Sequence, residues 1–384
     1  MSCSDHPGPT SARRRVLVVD DSAFMRRLVS DVVQESGEFE VVGTARDGHD
    51  ALRQVAALDP DLVTLDVDMP GLDGLAALEA IMRTHPRPVV MLSAGGSDGG
   101  AEATWRALER GAVDFVRKPS GAISLDLEAV RDQLLHALRA AATVRLAGSE
   151  RLQAPAVVRA PDVAASAVQA EARATTAARR APRAPTAVVC LAASTGGPAA
   201  LARVVPLLPG WPDVAVLVVQ HMPPGFTASF ARRLDGQSRL RVAEAVHDEP
   251  LRGGQAYIAP GGFHLQVAGT ADAPRLVLGD ETPLWGVRPA ADVLFRSVAT
   301  RYGVRAVGVV MTGMGRDGAD GLQALREAGG GAIVQDMASS VIPGMPQAAL
   351  RQAGADAEVP LDELAAAIAT HLEPRRAHAW RASA

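Results

Sequence analysis

Two aspartates stand side by side directly after an apolar run, Val16-Leu-Val-Val-Asp20-Asp21, and a third, Asp66, follows another such run. Carboxylates gathered in one place repel one another unless a divalent cation lies among them. Hard oxygen donors of this kind suit magnesium, which keeps some of its waters and takes phosphate oxygens as well. Lys118-Pro119 follows a further apolar run and would supply a point positive charge for a phosphoryl group, and Ser93 at the end of yet another supplies a hydroxyl. Singly, each carboxylate would be an ordinary turn or helix-cap residue. Together, at the ends of successive runs, they point to phosphate chemistry.

A second set of reactive side chains lies in the other half of the chain. The run 187–191 leads into Ala-Ala-Ser194-Thr-Gly-Gly-Pro198, and a helical pattern follows. A serine at a sharp strand-to-helix turn is presented outward, and the N–H groups opening the helix can stabilise an oxyanion. Serine needs a base. The run 214–219 ends in Gln220-His221-Met222-Pro223-Pro224, which puts His221 at the same sheet edge, where a neutral imidazole can take the hydroxyl proton. Of the nine histidines, His247 and His264 lie on less suggestive segments, and His371 and His378 have no nucleophile beside them. The run 307–311 leads into Thr312-Gly-Met-Gly-Arg-Asp317-Gly, where a carboxylate could orient the imidazole. The order Ser, His, Asp differs from that of the α/β-hydrolases, and Ala192 stands where a nucleophile elbow has its first glycine. Cys190, the alternative nucleophile, sits inside an apolar run.

These residues need elements to place them. In the first half, short apolar runs at 16–19, 41–44, 62–65, 89–92 and 113–116 alternate with helical patterns such as 23–35 and 72–84. Strands alternating with helices imply a parallel sheet with right-handed crossovers, whose strand ends converge on one ligand-binding edge. A stretch rich in Ala and Arg with scattered Pro, 143–185, reads as a linker, with some helix around 163–179. Alternation then returns, with strands expected at 187–191, 214–219, 257–260, 307–311 and 332–334 and helices at 291–300 and 318–328. The expected organisation is a tail at 1–13, an α/β domain at 14–142, the linker at 143–185 and a second, doubly wound and mostly parallel α/β domain at 186–376.

The chain has 384 residues, a net charge of −4 and two cysteines. Near-balanced charge gives no support to sequence-independent nucleic-acid binding. Two cysteines build neither a disulfide framework nor a metal finger. The start of the chain lacks the apolar stretch of a secretory signal, and the apolar runs fall short of the ~20 residues that span a bilayer. A cytoplasmic protein without membrane insertion is expected.

The first half resembles a two-component receiver domain, a (βα)5 fold. The resemblance implies that Asp66 accepts a phosphoryl group from a histidine kinase, that Asp20, Asp21 and the Asp68 carbonyl hold Mg²⁺ with Asp66, that Ser93 and Phe115 form the switch pair, and that Lys118 contacts the phosphate. The second half resembles the CheB family of chemotaxis-type protein-glutamate methylesterases and glutaminases. The matching segments are Ser194-Thr-Gly-Gly-Pro, Gln220-His-Met-Pro-Pro-Gly-Phe-Thr, Ala259-Pro-Gly-Gly-Phe-His, Asp292-Val-Leu-Phe, Met311-Thr-Gly-Met-Gly-Arg-Asp-Gly and Pro343-Gly-Met-Pro. It implies a nucleophile at Ser194, a general base and acid at His221, an orienting carboxylate at Asp317, and oxyanion donors in the N–H groups of Thr195 and Met314. The implied reaction is hydrolysis of glutamate 5-O-methyl esters on chemoreceptors, with deamidation of glutamines, and no cofactor beyond the receiver's Mg²⁺. Cys190 and Ala192 depart from the family's glycine-rich strand end, and Ala290 stands where serine is common.

Two rivals remain at this level. Gly313-Met-Gly-Arg-Asp-Gly318 is formally G-x-G-x-x-G after a strand, with Asp336 placed like a ribose-binding carboxylate. That reading leaves Ser194 and His221 unexplained. A receiver joined to a binding module, with residues 194–197 cradling a phosphate, is the other. Joining a switch to a hydrolase in one chain also implies control, with the unphosphorylated receiver covering the catalytic edge.

Overall fold

The computed structural model describes residues 13–94, 98–119, 127–144, 183–270 and 272–382. Nearly all of the expected tail, most of the expected linker with its helical stretch at 163–179, and Cys3 lie outside the described residues. The chain forms two compact units, divided after residue 152 except that residues 95–102 group with the second.

The first unit runs β1 (Arg14–Val19), α1 (Ala23–Glu35), β2 (Phe39–Ala45), α2 (Gly48–Leu58), β3 (Leu62–Asp66), α3 (Gly74–Thr84), β4 (Val89–Ser93), α4 (Asp98–Glu109), β5 (Asp114–Arg117) and α5 (Leu127–Thr143). Helix starts follow from side-chain caps. Ser22, Asp47 and Asp73 each accept an N–H three residues on, contacts worth about 1 kcal/mol apiece. The sheet order is β2-β1-β3-β4-β5, all parallel. The order reverses between β1 and β3, so the ends of those two strands flank a crevice.

The second unit runs β6 (Ala187–Ala193), α6 (Gly197–Val204), β7 (Val214–Gln220), α7 (Phe226–Gln237), β8 (Arg241–Glu244), β9 (Gln255–Ile258), β10 (His264–Gly269), β11 (Pro274–Gly279), α8 (Ala291–Tyr302), β12 (Ala306–Val310), α9 (Ala319–Glu327), β13 (Gly331–Gln335), α10 (Gly344–Gln352), β14 (Ala357–Val359) and α11 (Leu364–Ala382). Seven strands pair in parallel in the order β14-β13-β12-β6-β7-β9-β8, and β10 and β11 form a separate antiparallel hairpin. Every residue of β6, β7 and β12 is buried, as both faces of a central parallel strand must be. The switch point here falls between β6 and β12.

The α/β class and the parallel sheets agree with the sequence reading. The strand expected at 257–260 instead spans Gln255–Ile258, because Pro260 has no N–H to give to a ladder. The hairpin, β8 and β14 were not anticipated.

Candidate functional site

Strand register brings the second set of reactive residues together. Ala193 of β6 pairs with Gln220 of β7, so Ser194 and His221 are the next residues out of adjacent strands. On the other flank Ala192 pairs with Val310, and the Ser194 N–H donates to Thr312 O at 3.0 Å. The His221 N–H donates to Ala193 O at 3.1 Å, and the Gln220 amide Nε2 donates to Ser194 O at 2.9 Å and His221 O at 3.1 Å. Gln220 thereby straps the two turns to each other.

The turn after Ser194 tightens at Gly196, whose φ of 76° lies in the left-handed region, and Gly197 donates back to Ser194 O at 2.7 Å. A Cβ at position 197 would overlap the Gln220 amide oxygen, so the strap needs glycine there. Beyond β12, Thr312 Oγ1 donates to Thr195 O at 3.0 Å and accepts from the Ile342 N–H at 3.0 Å, and Gln335 Oε1 accepts the Thr312 N–H at 2.9 Å. These bonds hold the loop carrying Met314 and Asp317 against the serine turn.

Asp317 is fixed by four donors. His221 Nε2 lies 2.7 Å from its Oδ2, which also accepts the Ala291 N–H at 2.6 Å, and its Oδ1 accepts the Asp292 and Gly318 N–H groups at 3.0 Å. Ala291 and Asp292 open α8, so the carboxylate sits on a helix N-terminus whose dipole favours negative charge. Burial pushes the Asp317 carboxyl up, but the His221 bond and charge and the two α8 N–H groups outweigh it and hold it below the ordinary carboxylate value. The Nε2 contact to a carboxylate places the proton on Nε2 and leaves Nδ1 as the basic nitrogen. Nδ1 is buried without a hydrogen-bond partner, and no hydrogen bond joins it to Ser194 Oγ. Ser194 and Asp317 are buried, and the His221 side chain is 9% exposed. A buried serine turn next to an imidazole held by a carboxylate is an arrangement that can perform acyl transfer.

Cys190 is wholly buried and burial pushes its thiol far up, so it is no competitor for the nucleophile. Gly313 packs against the serine turn: a Cβ there would lie 2.7 Å from Ser194 Cβ.

In the first unit, the structure gathers Asp20, Asp21 and Asp66, one oxygen of each lying within 4.8 Å of the others. Asp20 and Asp66 are buried and Asp21 is exposed, so the oxygen cluster opens on one side. This hard-donor set fits Mg²⁺, which keeps some of its waters and takes phosphate oxygens. Lys118 Nζ lies 2.7 Å from both Asp20 Oδ2 and Asp66 Oδ2. Burial pushes the Asp66 carboxyl up to about 6 against the pull of Lys118. The Asp68 N–H donates to Asp66 Oδ1 at 3.3 Å. Ser93 Oγ is buried without a hydrogen-bond partner, and Phe115 packs edge-on against Trp105 at 6.1 Å.

Apart from Phe115, which lies within β5, the site residues read from the sequence sit at strand ends or in the loops that follow them, each set in its own unit. The supporting polar residues Gln220, Thr312, Gln335 and His264 were missed. His264 is buried, and its Nδ1 accepts the Ala290 N–H at 3.2 Å, which steadies the start of α8. Nothing in their local spacing marks them.

The family model for the CheB methylesterase matches residues 189–368, and that for the response regulator receiver domain matches residues 16–129. A protein-glutamate methylesterase/protein-glutamine glutaminase of Symbiobacterium thermophilum is 47% identical over 354 residues, 92% of this chain and 96% of that protein. One of the same description from Pyrococcus abyssi is 43% identical, covering 92% of each chain. The solved CheB methylesterase catalytic domain of Thermotoga maritima is 36% identical and covers 50% of this chain and 97% of its own, with a TM-score of 0.46.

Proposed function

The chain belongs to the CheB methylesterase family, with an N-terminal receiver domain, and on that footing we propose that it hydrolyses glutamate 5-O-methyl esters on chemoreceptors under control of phosphorylation. The observation that supports this reading is the His221–Asp317 hydrogen bond, which joins the turns after β7 and β12 on either side of the turn after β6 that carries Ser194.

In this reading Ser194 Oγ attacks the ester carbonyl while His221 Nδ1 takes its proton. Asp317 holds Nε2–H and stabilises the imidazolium. The backbone N–H groups of Thr195 and Met314 stabilise the oxyanion. Collapse of the tetrahedral intermediate expels methanol, which takes the proton back from Nδ1. Water then adds to the acyl-enzyme by the same route and releases the glutamate carboxylate and Ser194. A glutamine side chain follows the same path and releases ammonia.

In the receiver, Asp20, Asp21, Asp66 and the Asp68 carbonyl would hold Mg²⁺, which when bound offsets negative charge as phosphate approaches. Asp66 accepts the phosphoryl group from a histidine kinase, Lys118 pairs with it, and Ser93 and Phe115 respond. Phosphorylation adds about −1.5 to −2 charges at that point, enough to redraw the local contacts. The unphosphorylated receiver restrains the esterase, and phosphorylation lifts the restraint.

The test is methanol release from a methylated receptor by the full-length chain. Ser194→Ala should abolish release and labelling by a fluorophosphonate while leaving the fold intact. A folded Ser194→Ala protein that still releases methanol refutes the reading.

A further inference from the structure

Asp292 is a fully buried carboxylate that takes no part in the chemistry just described. It stands second in α8, and its oxygens receive donors: Oδ1 the Gly321 N–H at 2.6 Å, Oδ2 the Trp285 indole Nε1–H at 2.8 Å. Its own N–H donates to Asp317 Oδ1 at 3.0 Å. Two helix starts are thus laced crosswise. Asp317, just before α9, takes the open N–H groups of α8, while Asp292, in the first turn of α8, takes an open N–H group of α9. Gly321 permits the approach, since a Cβ there would lie 2.7 Å from Phe295 Cβ and 2.9 Å from Asp292 Cα.

The lacing extends outward through Trp285. Its φ of 56° is a left-handed conformation that a bulky side chain adopts only when its surroundings enforce it. Here the enforcement is the indole bond to Asp292 and the Arg316 guanidinium lying 4.5 Å from the ring centroid. Arg316 directly precedes Asp317 in the chain. The charged groups around Asp292 are Asp317 with its partner His221, Asp320 on α9, Arg296 on α8 and Arg316. Both arginines bridge to Asp320, at 3.5 and 2.6 Å. Burial and the nearby Asp317 charge push the Asp292 carboxyl above its ordinary value, while the Gly321 and Trp285 donors pull the other way.

We propose that Asp292 is a positioning residue of the hydrolytic site: by joining the first turn of α9 and Trp285 to the first turn of α8, its carboxylate fixes the orientation of Asp317 and adds a second negative charge behind His221. The proposal rests on the esterase reading and deepens it.

The experiment is methanol release by the full-length, phosphodonor-treated protein between pH 5.5 and 9. Asp292→Asn keeps an acceptor but removes the charge. It should lower kcat about tenfold with KM within twofold, and it should move the acid limb of the kcat/KM profile to lower pH, because the imidazolium loses a nearby anion. Asp292→Glu should restore the acid limb. A folded Asp292→Asn protein with unaltered kcat and an unmoved limb overturns the proposal. Should that variant not fold, Trp285→Phe removes one donor to Asp292 from an exposed side chain. It should lower kcat about threefold at constant KM, and an unchanged kcat likewise overturns the proposal. Ser194→Ala run alongside separates the two ideas: turnover there overturns the esterase reading itself, whereas a dead Ser194→Ala beside a normal Asp292→Asn overturns the positioning role alone.

Discussion

His221 Nε2 and Asp317 Oδ2 lie 2.7 Å apart across 96 residues of chain, and the carboxylate that makes this bond is also the cap of a helix that neither residue belongs to. The dual duty matters for catalysis. The N–H groups of Ala291 and Asp292 allow only an acceptor to face them, so Asp317 cannot rotate without leaving helix donors unpaired. The imidazole therefore keeps one tautomer and one orientation.

Asp317→Asn follows directly. The amide must either point its NH2 at a backbone N–H or at His221, and in the latter case His221 is driven to the tautomer with its proton on Nδ1, where it cannot act as base. Activity should fall roughly 10²- to 10⁴-fold. Stability should change in a pH-dependent way. Because the folded carboxyl lies below its ordinary value, its contribution is present above about pH 4 and is lost as pH falls through the folded value. Urea midpoints of the two proteins should thus differ at pH 7 and draw together as pH falls below the ordinary carboxylate range; a constant gap refutes the account.

Gly313→Ala tests how tightly the loop after β12 is pressed on the nucleophile. The added methyl would collide with Met345 Sδ and lie 2.7 Å from Ser194 Cβ. Overpacking of this kind costs about 1–3 kcal/mol. A displacement of the serine by a fraction of an ångström should also cost rate, roughly 10- to 100-fold in kcat. Fluorophosphonate labelling against urea stability separates the two, and a variant that loses stability but labels at the normal rate contradicts this packing.

Much of this is legible in the amino-acid sequence. Central parallel strands are buried on both faces, so β6, β12 and all but the last residue of β7 show as runs without a charged or polar side chain, β1 and β3 nearly so, and the residues after each run lie at the ligand edge. That rule places Asp20 and Ser194 directly, and His221 one residue beyond Gln220. The edges were not legible. β8 is Arg-Val-Ala-Glu with one buried residue, and β14 is Ala-Glu-Val with none, so neither carries an apolar signature. The buried polar layer was invisible for another reason. Gln220, Thr312 and Asp292 act through hydrogen bonds to segments 23 or more residues away, and no local periodicity encodes those partners.

The receiver pocket makes a metal prediction. With Asp20 and Asp66 buried beside one lysine, the cluster carries more negative than positive charge, and an approaching phosphodonor adds further negative charge. Chelating divalent cations with EDTA should block incorporation of label from a ³²P-phosphodonor, and added Mg²⁺ should restore it. Asp66→Ala should take up no label at any Mg²⁺ concentration while keeping its fold. Label retained by that variant would move the acceptor to another residue.

Control of the esterase is tested by combining that variant with removal of the receiver. The second unit has its own core, with Cys190, Tyr257, Phe295 and Met345 all buried within it, so a fragment beginning at residue 183 should fold. If the unphosphorylated receiver restrains the site, the fragment should release methanol faster than the untreated full-length chain and should ignore a phosphodonor. The full-length chain should accelerate on treatment, and its Asp66→Ala variant should stay at the low rate. A restraint of about 1.4–3 kcal/mol corresponds to roughly 10- to 150-fold between the two states. Equal rates for the fragment and the untreated full-length chain would show that the receiver imposes no restraint. A phosphodonor response would then have to come from activation instead.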